Sequence, residues 1–221
     1  ASHELKTPLA AIRLLTDSIL QTDQMDMETV RDFVTDIGSE AERLSRITED
    51  LLRLTRLDSD LLDAPETVEV APVLEQVMRM MSLLAQEKGT ELTYRMEENC
   101  RVSATKGEVH QVIYNLTDNA VKYSGKNGKV RVELRHEDHD VVLTVADNGP
   151  GIPEEDLPKV FERFYRVDKA RSRAAGGTGL GLSIVQDTVK KRGGTVSAAN
   201  RPNGGAVFTV RWPEAEGGDR S

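Results

Sequence analysis

Apolar residues open the chain at a helical period: Leu5, Leu9, Ile12 and Ile19 stand three, four or seven positions apart. After a polar stretch over residues 21–28, a second series runs through Val30, Phe33, Ile37, Leu44, Ile47, Leu51 and Leu54. The pattern predicts two amphipathic helices folded as an antiparallel hairpin. Two helices enclose little core, and a near-heptad stripe is better buried against a second copy. That predicts a homodimer closed as a four-helix bundle through the hairpin. The competing arrangement lays both helices on the surface of whatever follows.

Between residues 58 and 67 the period fades through Ala64-Pro65, and beyond it helical and alternating patterns mix. The reading is a helical domain over 1–62, a linker over 63–67, a second domain over 68–214 and a tail over 215–221. In the second domain strands are expected near 68–70, 91–96, 101–104, 129–135, 141–146, 195–199 and 206–211. Helices are expected over 72–88, ended by Gly89, over 107–123 and over 180–192. A loop rich in Gly, Pro and charge fills 147–179, with short helical pieces near 154–166. Helices collected on one face of a mixed sheet make an α/β sandwich.

Composition narrows the function classes. A net charge of −8 and a pI near 5.2 argue against a nucleic-acid or anionic-membrane binder. The charge is unevenly placed: up to Ala64 there are seven basic and fourteen acidic residues, afterwards twenty-two and twenty-three. That shift supports a boundary near residue 64. Cys100 is the single cysteine, which suits a reducing compartment and a plain packing role. No apolar run reaches the roughly 18 residues of a membrane span. The first motif begins at once, so the chain reads as the cytoplasmic part of a longer protein, its membrane anchor outside this sequence.

Four motifs carry candidate chemistry. Ser2-His3-Glu4-Leu5-Lys6-Thr7-Pro8-Leu9 places His3 about 180° from Ile12 and Thr7 about 40° from His3 on a helical wheel. An outward imidazole beside a carboxylate suits a nucleophile: Nδ1–H donating to Glu4 leaves Nε2 free to attack phosphorus. A surface His next to Glu is also ordinary. In Asn115-Leu116-Thr117-Asp118-Asn119-Ala120-Val121-Lys122-Tyr123, residues 115, 119, 122 and 123 share one helix side. Carboxamide oxygens there fit Mg²⁺ that takes most of its ligands from phosphates and water, and Lys122 offsets phosphate charge. Asp147-Asn148-Gly149-Pro150-Gly151-Ile152-Pro153 ends a strand with a carboxylate able to accept from the adenine amine, although the same residues suit a mere turn. Gly176-Gly177-Thr178-Gly179-Leu180-Gly181-Leu182 opens a helix, where backbone N–H groups bind phosphate. It has neither the dinucleotide nor the Walker spacing. Upstream, Lys159, Arg163, Arg166, Lys169, Arg171 and Arg173 suggest a mobile basic lid. Phe161, Phe164 and Tyr165 either anchor it or pack in the core.

Together these motifs resemble the histidine kinase family across essentially the whole chain. The H box is similar to residues 2–9, the N box to 110–124, the G1 box to 147–153, the F box to 161–168 and the G2 box to 176–182. The resemblance implies a dimerization and phosphotransfer hairpin followed by a Bergerat-type ATP-binding domain, the fold shared with gyrase B, HSP90 and MutL. It implies that His3 is phosphorylated with Glu4 as its base, that Asn119 and Asn115 hold Mg²⁺, and that Lys122 and Arg166 contact the phosphates of ATP. Tyr123 would line the nucleotide pocket and Asp147 recognise adenine, with Gly149, Gly151, Gly177, Thr178, Gly179, Leu180 and Gly181 shaping the rest. The phosphoryl group would pass to an aspartate on the receiver domain of a response regulator, and Thr7 would position water when the enzyme runs as a phosphatase.

Two positions depart from the family pattern. Thr105 stands where Asp is frequent, and Thr117 replaces a usual apolar residue, so altered packing with intact chemistry is expected. The competing enzyme reading is a gyrase-type ATPase, which needs a carboxylate where this chain has Asn115. A nucleotide-binding scaffold without catalysis is a third reading. His136 and His139, beside a hairpin turn, read as solvated surface residues.

Overall fold

The computed structural model describes residues 2–22, 24–58, 64–168 and 177–215. The chain opens with two long helices, α1 (Ser2–Gln21) and α2 (Met27–Asp58), packed as a hairpin. Asp26 caps α2, its carboxylate accepting from the Thr29 N–H and hydroxyl at 2.8 Å each. The face of α1 turned toward α2 carries buried Pro8 and half-buried Leu5, Ile12, Leu15 and Ile19. Leu9, expected in that stripe, is instead 60% exposed. One residue is 100° of helix, so burying Pro8 turns Leu9 outward. Leu14, Leu20, Met27, Val34 and Leu52 are exposed as well.

The remaining elements are β1 (Glu66–Glu69), α3 (Val70–Glu87), β2 (Glu91–Met96), β3 (Arg101–Ala104), α4 (Lys106–Tyr123), β4 (Lys129–Glu137), β5 (Asp140–Asp147), a 3₁₀ turn (Leu157–Lys159), α5 (Gly181–Lys191), β6 (Thr195–Asn200) and β7 (Ala206–Pro213). β1 opens at Glu66, inside the stretch expected as linker. α3 begins before Pro72, which sits in the first turn, where its missing N–H costs nothing. Among the described residues β1 pairs only with β3, while β2-β4-β5-β7-β6 form a five-stranded sheet. That sheet is antiparallel except for β2 beside β4.

The core lies between one sheet face and α3, α4 and α5. Val132, Leu134, Leu143, Val145, Phe208 and Val210 meet Leu74, Met78, Ile113, Leu116 and Val185 there. The opposite sheet face is laced with ion pairs, Arg131 to Glu133 and Arg211 to Glu137 among them. α4 starts at a capping box: Thr105 Oγ1 accepts from the Glu108 N–H, and Glu108 accepts from the Thr105 N–H at 2.8 Å. Thr105 thus does the capping work that an Asp would do. Thr117 is fully buried, and its hydroxyl meets no partner among the described residues. Cys100 is buried too, which pushes its thiol up to about 11.

A second apolar cluster joins the two parts of the molecule. Leu54 and Leu57 of α2 pack on Leu180 and Ile184 at the start of α5, with Leu51 and Phe164 at the edge. The far half of the hairpin therefore rests on the second domain, as in the competing surface arrangement. The near half leaves Leu14, Leu20, Met27 and Val34 uncovered.

Candidate active site

A cavity of about 910 Å³ opens between α4, the loop after β5, the start of α5 and the side of α2. That size suits a nucleotide. Asn115, Asn119, Lys122 and Tyr123 line it from α4, as their spacing predicts, and Asp147, Gly151 and Ile152 line it from the opposite wall.

Asp147 ends β5 and is 4% exposed. Its Oδ1 accepts from the N–H groups of Gly149 at 2.8 Å and Ala206 at 3.2 Å. Burial nevertheless dominates and holds the carboxyl above its usual range, with those two N–H groups and Arg201 opposing. Gly149 has to be small, because a Cβ there would fall 2.3 Å from the Tyr123 carbonyl oxygen. Gly151 has φ +76°, and the next residue is clamped by Asn200, which accepts from the Ile152 N–H at 2.8 Å and donates to its carbonyl at 2.6 Å.

Gly177, Thr178 and Gly179 lead into the first turn of α5, and Gly181 is its first residue. Gly179 has φ +74°, and its carbonyl accepts from the Phe164 N–H at 2.8 Å. Phe164 itself sits at φ +66°, a strained setting for an aromatic residue. The segment before the loop is thus pinned to it by backbone and by Phe164 in the second cluster. Phe161 packs edge-on against Phe208 in the main core, and Tyr165 donates to Asp156 at 2.6 Å, which pushes its hydroxyl up to about 12. Gly176, Lys169, Arg171 and Arg173 lie outside the described residues.

Several expected residues have additional structural work. Asn115 is buried and spans two elements: its Oδ1 accepts from Gln111 at 2.8 Å and its Nδ2 donates to the Gly181 carbonyl at 3.0 Å. Asn119 lines the cavity one turn on. Lys122 pairs with Asp118 at 2.5 Å on the same helix. Arg166 donates to the Gly177 carbonyl and lies 3.9 Å from Glu4 of α1. The glycine loop and α1 therefore meet at one guanidinium. The His3 side chain lies outside the described residues, while its backbone belongs to the first turn of α1 beside Glu4. Thr7 is exposed one turn later.

The helical hairpin contributes residues that the motifs did not indicate. Thr178 donates to Asp50 of α2 at 2.8 Å and accepts from the Leu180 N–H at 3.2 Å. Burial raises the Asp50 carboxyl, with the Thr178 bond opposing. Arg43 reaches Glu4 from the middle of α2. Its signal was in the sequence: position 43 continues the inward stripe of 37, 40, 44 and 47 with a charged residue. Among the described residues no group of His, Cys, Asp and Glu is arranged to hold a metal. A carboxamide such as Asn119 remains suited to an ion ligated chiefly by phosphate and water.

Comparison with known proteins gives this geometry its context. Residues 1–60 match the His Kinase A (phospho-acceptor) domain, and residues 104–216 match the histidine kinase-, DNA gyrase B- and HSP90-like ATPase family. The chain is 36% identical over 213 residues to the sensor-like histidine kinase SenX3 of Mycobacterium tuberculosis, covering 96% of this chain and 52% of that protein. It is 33% identical to the signal transduction histidine-protein kinase ArlS of Staphylococcus aureus, covering 95% of this chain and 47% of that one. The chain thus spans about half the length of these relatives. Histidine kinase ThkA, solved in complex with response regulator protein TrrA, superposes with a TM-score of 0.77 at 25% identity, over 97% of this chain and 60% of that one. With a hairpin that matches a phospho-acceptor domain packed on an ATPase domain of the Bergerat fold, the chain belongs to the histidine kinase family and carries the catalytic core of a two-component sensor kinase.

Proposed function

We propose that this chain moves the γ-phosphoryl group of ATP onto His3, and that the group then passes to an aspartate of a response regulator's receiver domain. The observation that carries this reading is Arg166, which joins the Gly177 carbonyl in the phosphate loop to Glu4, the neighbour of His3. Adenine would sit at Asp147, with its exocyclic amine donating to the carboxylate. The triphosphate would run along the N–H groups at the start of α5, where the helix dipole favours negative charge. His3 Nε2 would attack the γ-phosphorus as the bond to the β,γ-bridging oxygen breaks and ADP leaves. The Nδ1 proton would go to Glu4, which acts as base. Asn119 and Asn115 would hold Mg²⁺ together with the phosphates, and the ion would supply charge neutralisation for the leaving group. Lys122 would contribute after exchanging Asp118 for phosphate.

The uncovered apolar side chains of the hairpin, Leu14, Leu20 and Val34 among them, support a homodimer closed through these helices. Thr7, one turn after His3, supports a phosphatase role toward the regulator by positioning water. None of the described helices is long and apolar enough to cross a membrane. We assign the chain to the cytoplasmic side of a longer, membrane-anchored sensor.

The test is incubation with radiolabelled Mg·ATP beside a His3→Gln variant. Acid-labile, base-stable label on the parent alone is the expected result. ATP turnover to phosphate with no protein label would overturn the reading in favour of a gyrase-type ATPase, and binding with neither label nor turnover would favour a scaffold.

A further inference from the structure

Arg43 occupies an unusual position for a charged residue. It stands on the face of α2 turned to α1 and is 4% exposed. Its Nη2 lies 3.5 Å from Glu4 Oε2 and its Nη1 lies 3.4 Å from Glu40 Oε2. Its Nε is buried and meets no acceptor among the described residues. These are long contacts for a guanidinium taken out of water. A buried ion pair of such geometry returns less than its desolvation takes away, and an apolar side chain of similar length would pack there at least as well. Stability alone therefore gives no reason for the arginine.

What Arg43 reaches does give one. Glu4 Oε2 is approached by two buried guanidinia, Arg43 from α2 and Arg166 from the ATP-binding domain. The two differ in permanence. Arg166 sits on a segment that meets the hairpin only while the domains are docked, whereas Arg43 belongs to the same hairpin as Glu4. We propose that Arg43 is a positioning residue for the phosphoryl transfer. It fixes the Glu4 carboxylate beside His3 whether the ATP-binding domain is docked or not, so that the base is already oriented when Arg166 arrives. Glu40, one turn before Arg43, steadies the guanidinium from its other side. Without Arg43 the Glu4 side chain regains its rotamers, and misplacing a proton acceptor by about 1 Å costs on the order of 100-fold in rate.

This inference rests on the reading of His3 and Glu4 given above, and the experiment separates the two. Label accumulation from Mg·ATP is followed on the parent, Arg43→Met, Arg43→Lys, Glu4→Gln and the Arg43→Met/Glu4→Gln double variant. Melting curves and the KM for ATP are measured in parallel. Arg43→Met is expected to lower kcat about 10- to 100-fold, with KM for ATP within about twofold and a melting midpoint close to that of the parent, because the Glu4 and Glu40 side chains left behind are 33% and 28% exposed and keep contact with water. Arg43→Lys should recover part of the loss. The double variant should be no slower than Glu4→Gln alone, because Arg43 acts through Glu4. A parent rate in Arg43→Met, or losses that multiply in the double variant, overturns the inference while leaving the kinase reading intact. If Arg43→Met fails to fold, Arg43→Lys decides: a reduced kcat at unchanged KM supports the role, and an unchanged kcat overturns it. A parent that takes no label on His3 removes the underlying reading instead.

Discussion

Gly149→Ala probes how tightly the loop after β5 is pressed on the end of α4. The added Cβ would lie 2.3 Å from the Tyr123 carbonyl oxygen and 3.0 Å from Asp147 Oδ1. The first distance is roughly 1 Å short of van der Waals contact. Both neighbours are held, one as helix backbone and the other by two N–H donors, so the loop itself has to retreat. A retreat of about 1 Å breaks the 2.8 Å bond from the Gly149 N–H to Asp147. Losing a hydrogen bond to a charged group costs about 1.5–3 kcal/mol, and the remaining overpacking about 1–3 kcal/mol. Roughly 3–5 kcal/mol in total should lower the melting midpoint of the ATP-binding domain by about 10 °C. Titration with a fluorescent ATP analogue should show at least about a tenfold weaker affinity, since the loop shifts along the cavity wall and the Asp147 carboxylate loses its Gly149 donor. Gly89→Ala is the control: its φ is +64° but nothing lies within 4 Å of the added Cβ. It should cost only about 1–2 kcal/mol of backbone strain and leave nucleotide affinity alone. A Gly149→Ala protein that melts like this control and binds nucleotide like the parent would refute the reasoning.

Burial holds the Asp147 carboxyl above its ordinary value of 3.8, so the folded chain binds that proton more tightly than the unfolded one. The stability this lends is complete below 3.8 and is lost as pH rises through the raised value. Asp147→Asn should therefore melt above the parent at about pH 7 without nucleotide, with a flatter pH dependence in that window, while losing ATP binding. Arg192 donates from Nε and Nη2 to Glu108 at 2.9 and 2.8 Å, with side chains 9% and 14% exposed. Arg192→Met should cost about 3–5 kcal/mol in denaturant unfolding by leaving that carboxylate buried, and adding Glu108→Gln should restore part of it. Gly38 lies inside α2 with nothing within 4 Å of where an alanine methyl would stand, so Gly38→Ala should raise hairpin stability by about 0.8–1 kcal/mol in thermal melts.

What was legible in the sequence was what local period encodes. The hairpin followed from its 3.6-residue stripe, and β4 and β5 from alternation on either side of a polar turn. One cavity wall was legible because residues 115, 119, 122 and 123 of α4 share a face by spacing alone, and the glycine loop because its composition is distinctive. Long-range pairing was not legible. Nothing in residues 91–96 says that they run parallel to β4, or that β1 leaves the main sheet to pair with β3. The exposure of Leu9 escaped because a period defines a stripe only to within about one residue, and Pro8 competes for the same place. Asn200, which holds the loop after β5 from a distant hairpin, carries no motif. Asp50 was hidden for the same reason, since its partner Thr178 lies 128 positions away.

The bond between the Ala206 N–H and the Asp147 carboxylate joins residues 59 positions apart, and it has a kinetic meaning. Bringing the ends of such a loop together costs roughly 3.5 kcal/mol of chain entropy beyond a constant. The α1–α2 contacts need only a short turn, and helical hairpins of this kind form on fast timescales. The hairpin should therefore fold early, whereas the Asp147 end of the cavity comes into being only when β7 closes on β5. The glycine loop over 177–181 lies between those strands in the chain and waits on the same closure. In a refolding experiment, helical signal should precede nucleotide binding, with the delay set by the β5–β7 pairing.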